Sequence, residues 1–174
     1  RDMDPCVYEG DQSFSLEDTK QEYPVTGNGD MRNMAATIVN PDGSRYADFA
    51  YVSHAVTPGK PKLENLPATY VEDDAEAETL TITLADKLTG AELDLSYTLY
   101  ADRPVLARNA RFVNRGERNL VIDAAMSANI DLPDARWRML DFTGAWGRER
   151  HLQERELKTG VQSIYSLRGH SSHQ

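Results

Sequence analysis

Only one cysteine, Cys6, stands in 174 residues, which excludes an internal disulfide framework. Such frameworks belong to oxidising compartments, so a lone thiol fits a reducing one, and cytoplasm is the expected location. No apolar run approaches the length of about 18 residues that a membrane helix needs. The opening Arg1-Asp2-Met3-Asp4 has neither the basic nor the apolar region of a secretory signal, so no membrane partner is expected. Apolar residues at helical spacing are nearly absent, which argues against a parallel α/β fold. Also missing are the Gly-x-Ser-x-Gly elbow, the phosphate loop and the dinucleotide fingerprint. The glycine-dense Gly27-Asn28-Gly29-Asp30 neither follows a clear strand nor opens a helix, so nucleotide chemistry and a cofactor are not expected. Of four histidines, His54, His151, His170 and His173, only the last two are neighbours, and Cys6 is remote. The three or four converging ligands of a zinc site are not in view; these read as surface groups, with no metal.

Acids outnumber bases 28 to 19, a formal charge of −9, and they are dispersed along the chain. Such a field repels nucleic acid and anionic lipid and leaves a neutral ligand or a protein as partner. The densest acidic stretch holds Asp73, Asp74, Glu76 and Glu78. Glycosidase chemistry needs two carboxyl groups about 5 to 10 Å apart across a sugar, on rigid elements. An acidic loop does not supply that, and this one reads as a solvated turn before a strand.

What is present is alternation. In 78–85, Leu80, Ile82 and Leu84 face one way and Thr79, Thr81 and Thr83 the other, which is expected to be the exposed face. After the turn 86–90, Leu93, Leu95, Tyr97 and Leu99 alternate with Glu92, Asp94, Ser96 and Thr98, predicting a hairpin. In 105–114, Leu106, Ala110 and Phe112 share a face with Arg108, which breaks the pattern. From Asn119 to Asp131 alternation runs far enough to cross a large sheet, with Asp123 and Asp131 outward, until Pro133 ends it. A second hairpin is predicted from 36–40 and 45–53 around Pro41-Asp42-Gly43-Ser44. The stretches 57–68 and 72–78 read as loops, and 146–158 as a charged strand in preference to a short helix. Short strands joined by such turns predict an all-β fold, an antiparallel sandwich. The chain opens without methionine and closes on Ser171-Ser172-His173-Gln174; both ends read as cuts, and residues 1–174 as a single β-sandwich domain truncated at both ends.

Two segments carry more unusual residues than a sandwich requires: 21–32 and 142–150. Trp146, set between small residues and beside Arg148 and Arg150, suits a sugar-stacking platform, a subunit contact or ordinary core, Trp and Arg being enriched at interfaces.

These segments, in this order, resemble the N-terminal domain of bacterial glycoside hydrolase family 36 α-galactosidases. The blocks are Phe14-Ser15-Leu16; Gln21-Glu22-Tyr23-Pro24 to Gly29-Asp30-Met31-Arg32, with Met31 where the family has an aromatic; Tyr51-Val52-Ser53-His54; Gly59-Lys60-Pro61; 66–72; 76–80; Gly144-Ala145-Trp146-Gly147-Arg148-Glu149-Arg150; and 168–174. The resemblance implies a β-supersandwich of the galactose-mutarotase type ahead of a (β/α)₈ barrel. It implies a retaining enzyme that removes terminal α-linked galactose from melibiose, raffinose and similar oligosaccharides. Two barrel aspartates would act as nucleophile and general acid/base beyond Gln174, so no catalytic residue falls in these 174 residues, which alone should be inactive.

In tetrameric bacterial members the N-terminal domain also lends an aspartate and, about a dozen residues on, an arginine to a neighbour's active-site mouth. Asp4 matches the aspartate; Gln12 stands near the arginine's place. The implied partners are the α-galactoside substrate, the chain's own barrel and, in a homotetramer, other subunits, with Trp146, Arg148 and Arg150 as interface candidates. A free-standing carbohydrate-binding or assembly module, or a sibling specificity such as α-N-acetylgalactosaminidase, is the alternative.

Overall fold

A computed structural model of the chain describes residues 20–27, 32–65, 67–132 and 136–167. Among the described residues its contacts divide into two compact units, the first ending at Asp131 and the second beginning at Leu132. Strands of both units pair antiparallel, as the alternation predicts.

The first unit contains β1 (Ala36–Val39), β2 (Ala50–Pro58), β3 (Ala77–Ala85), β4 (Ala91–Tyr100), β5 (Leu106–Asn114) and β6 (Val121–Ala125). Strands β2-β3-β4-β5 form one sheet in sequence order, and β1 pairs with β6 in another. The β3–β4 hairpin follows the sequence reading, Thr79 opposite Thr98 and Leu84 opposite Leu93. Buried Asp86 fixes its turn by accepting from the backbone amides of Leu88 at 2.8 Å and Thr89 at 3.3 Å, an Asx turn. Gly90 completes it at φ +75°, where a Cβ would stand 2.7 Å from the Gly116 amide nitrogen.

The core lies between the two sheets. Leu93 and Leu95 of β4 cluster with Ala36 and Ile38 of β1, with Tyr23 and Val25, and with partly buried Leu84, Phe112 and Leu120. Leu93 is fully buried, and truncating such a leucine to alanine costs about 2–5 kcal/mol.

Four sequence expectations are corrected. The threonine face of β3 is not exposed: Thr79 is 0 % accessible. Its hydroxyl donates to the Gly59 carbonyl at 2.7 Å and lies 2.7 Å from that of Thr98. At this end of the sheet the hydroxyl side faces the segment after β2, while Leu99 is 61 % exposed. The turn at Asn40–Ser44 forms, with Asn40 and Ser44 bonded through their backbones at 2.8 Å, yet its flanks do not make a hairpin. They diverge to different sheets, β1 joining β6 and β2 joining β3. The run after Asn119 pairs only over Val121–Ala125, because β1 offers it four residues and a register shift. Finally, the acidic stretch is more ordered than a loop. Asp73 caps a 3₁₀ turn at Asp74–Glu76, accepting from the Ala75 amide while Glu76 accepts from that of Asp73, a reciprocal capping box.

The second unit's described part is the hairpin β7 (Arg138–Ala145) and β8 (Arg148–Glu156), so the charged stretch after Trp146 is a strand, as expected. Buried Asp141 forms an ion pair with Arg155 through its Oδ2.

Candidate functional site

The two unusual sequence segments fall at different places. In the second, Ala145 and Arg148 are partners in register, leaving Trp146 and Gly147 as a two-residue hairpin tip. Gly147 takes φ +75°, open to glycine at little cost, and its amide donates to Glu149 Oε1 at 2.8 Å. Arg150 also holds a left-handed φ of 64°, uncommon for a side chain with a Cβ. The outcome is a tightly bent tip whose indole is 89 % exposed, with Arg148 and Arg150 exposed beside it. Of the three readings of Trp146, ordinary core is excluded among the described residues. What remains is an exposed aromatic flanked by two cations, a combination suited to contact with another surface or a sugar ring.

In the first segment, Glu22 and Tyr23 meet Arg108, the residue that broke the alternation of β5. The Arg108 guanidinium sits 5.7 Å from the Tyr23 ring centroid and 5.4 Å from that of Tyr97. It donates to the carbonyls of Glu22 at 2.7 Å and Asn129 at 2.8 Å, and pairs with Glu22 Oε1 at 2.9 Å. Tyr97 also donates to Glu22 Oε1, at 2.8 Å. Burial first, and then that hydrogen bond to a carboxylate, pushes the Tyr97 hydroxyl up to about 12. Burial likewise raises the Tyr23 hydroxyl, against the opposing pull of Arg108. The charge is thus held between two aromatic faces and one carboxylate, joining β4, β5 and the 21–23 and 129 segments. Both Arg108 Nη groups and the Tyr97 hydroxyl are directed at the protein itself, so this cluster is structural.

Asp4, Gln12, His170 and His173 lie outside the described residues. Asp131 ion-pairs with Arg32 and accepts from the Gln21 amide at 2.9 Å, and Asp123 pairs with Arg45 at 2.6 Å. Both bind their own fold. His54 faces Tyr51 through a 2.6 Å contact between hydroxyl and Nδ1, and His151 is exposed on β8. No three metal-ligating side chains converge among the described residues. Sequence reasoning missed the purpose of Arg108, although its one signal, a lone cation on an apolar strand face, was legible.

Residues 2–174 match the glycosyl hydrolase family 36 N-terminal domain. The chain is 45 % identical over all 174 residues to α-galactosidase AgaA of Geobacillus stearothermophilus, of which it covers 24 %. It is 37 % identical over 164 residues to α-galactosidase Mel36A of Lactobacillus acidophilus, covering 94 % of this chain and 22 % of that one. The crystal structure of AgaA superposes with a TM-score of 0.89 at 47 % identity, covering 92 % of this chain and 22 % of AgaA. Variants of that enzyme have been solved in complex with raffinose and with stachyose. The chain thus spans about a quarter of the length of the relatives it matches. With its antiparallel all-β architecture and a match running from residue 2 to residue 174, the chain belongs to the glycosyl hydrolase family 36 N-terminal domain family.

Proposed function

We propose that this chain is the N-terminal, noncatalytic part of an α-galactosidase that releases terminal α-linked galactose from melibiose- and raffinose-type oligosaccharides. The observation that carries this reading is the end-to-end likeness to AgaA, at 45 % identity, a relative whose variant was solved with raffinose. Hydrolysis with retention would be done by two aspartates of the barrel, one attacking the anomeric carbon and the other giving and then taking a proton. Asp86, Asp131 and Asp141 are each engaged within the fold.

The domain's own role in this reading is assembly of a cytoplasmic homotetramer and shaping of the active-site mouth. Trp146, Arg148 and Arg150 supply contact surface, and Asp4 reaches a neighbour's bound sugar. The exposure of Trp146 on the tip of the β7–β8 hairpin supports the first of these.

Proton NMR of melibiose digestion by the longer enzyme tests the chemistry. Appearance of α-galactose before mutarotation is expected; β-galactose appearing first would reject the retaining route.

A further inference from the structure

The structure points to a second saccharide-binding site, which we propose lies in the groove between the capped 3₁₀ turn and the β4–β5 turn. This groove encloses about 790 Å³ and is lined by Tyr70, Glu72, Glu76, Tyr100, Asp102 and Arg103. Two of its lining residues are held by the fold. Glu76 holds the Asp73 amide through its side chain, and its carbonyl accepts from Ala101 at 2.8 Å. Tyr100 ends β4 opposite Ala77.

Four features select the ligand. Tyr70 is 71 % exposed, a large ring whose apolar face a sugar's C–H face can cover while its hydroxyl stays wet. Glu72, Glu76 and Asp102 are all exposed acceptors, each able to take more than one hydroxyl donor. Arg103 adds a donor and partly offsets their charge. The Tyr100 hydroxyl is buried without a hydrogen-bond partner among the described residues, a state uncommon enough to need a cause. The carboxylates do not converge as a metal would require, so they suit a ligand with spaced hydroxyl groups. A neutral oligosaccharide has that chemistry. The choice of galactosides as probes rests on the proposed function; the groove does not.

The test uses the longer enzyme with its active site filled by 1-deoxygalactonojirimycin, which a variant of AgaA binds, so that added stachyose can reach only other sites. Calorimetry is expected to show one saturable stachyose site per chain. That binding should weaken about tenfold in Tyr70→Ala and in Glu72→Gln, each of which removes one of the selecting groups. Tyr100→Phe, which keeps the ring, should weaken it less than Tyr70→Ala does. Absence of stachyose binding to the blocked enzyme, or binding indifferent to Tyr70→Ala, overturns the groove while leaving α-galactoside turnover to decide the proposed function separately.

Discussion

Arg108 Nη2 lies 2.9 Å from Glu22 Oε1 across 86 residues of sequence, with the guanidinium side chain only 11 % exposed. An otherwise apolar strand face thereby ends in a cation that two tyrosine rings, one carboxylate and two carbonyls all address. Replacing Arg108 with alanine removes the pair and orphans the Glu22 and Asn129 carbonyls, so the chain should lose about 3 kcal/mol in urea denaturation. Glu22→Gln, which keeps an acceptor for Tyr97, should cost about 1 kcal/mol. Equal losses for the two would contradict the cluster's arrangement.

The raised Tyr97 hydroxyl makes stability depend on alkaline pH. Its folded value, about 12, lies above the ordinary 10.0, so the folded chain keeps a proton that the unfolded chain gives up. The contribution is therefore complete below pH 10 and disappears as pH rises toward 12. Tyr97 is only partly buried, so solvent screens the effect, which amounts to about 1 kcal/mol. Tyr97→Phe should flatten the decline in melting temperature over that range; an unchanged slope would assign it elsewhere.

Thr79 is buried with both of its oxygen contacts at 2.7 Å. Thr79→Val preserves shape but strands the Gly59 carbonyl and the Thr98 hydroxyl, and should cost about 1–3 kcal/mol. Adding Thr98→Val should cost less than the sum of the single changes, because the pair is removed together. A double-mutant cycle measures this.

Gly90 meets the backbone of Gly116 so closely that a Cβ there has no soft neighbour to displace. With φ at +75°, Gly90→Ala should destabilise by more than about 2 kcal/mol. Gly147→Ala, at the same φ but facing open space, should cost distinctly less. Thermal melts of the two variants compare clash with backbone strain alone.

Trp146 touches little of its own chain. Trp146→Ala should leave the melting of the 174-residue chain within about 0.5 kcal/mol while loosening assembly of the longer enzyme in sedimentation velocity. An unaltered sedimentation profile would remove Trp146 from the interface.

The sequence made local pairing legible because alternation and turn chemistry are both short-range. The β3–β4 hairpin and its Asp86 turn follow residue by residue from Leu80–Leu95 alternation and the Asp86-to-Gly90 stretch. It did not reveal which strands share a sheet. Asn40–Ser44 looks like a hairpin turn and is one locally, but the partner of Ile38 is Ile122, more than eighty residues on. Polarity misled at Thr79, where a covering segment turns an outward hydroxyl into a buried donor. The hairpin tip was legible as an oddity; its exposure needed the register of Ala145 with Arg148. The groove at Tyr70 and Tyr100 was invisible because thirty residues separate its two rings.

The most direct measurement is turnover of p-nitrophenyl α-galactoside by the longer enzyme, with the β-anomer and this 174-residue chain as controls. The account predicts hydrolysis of the α-anomer only, by the longer enzyme only. Turnover by the 174-residue chain itself, or none by the longer enzyme, would contradict it.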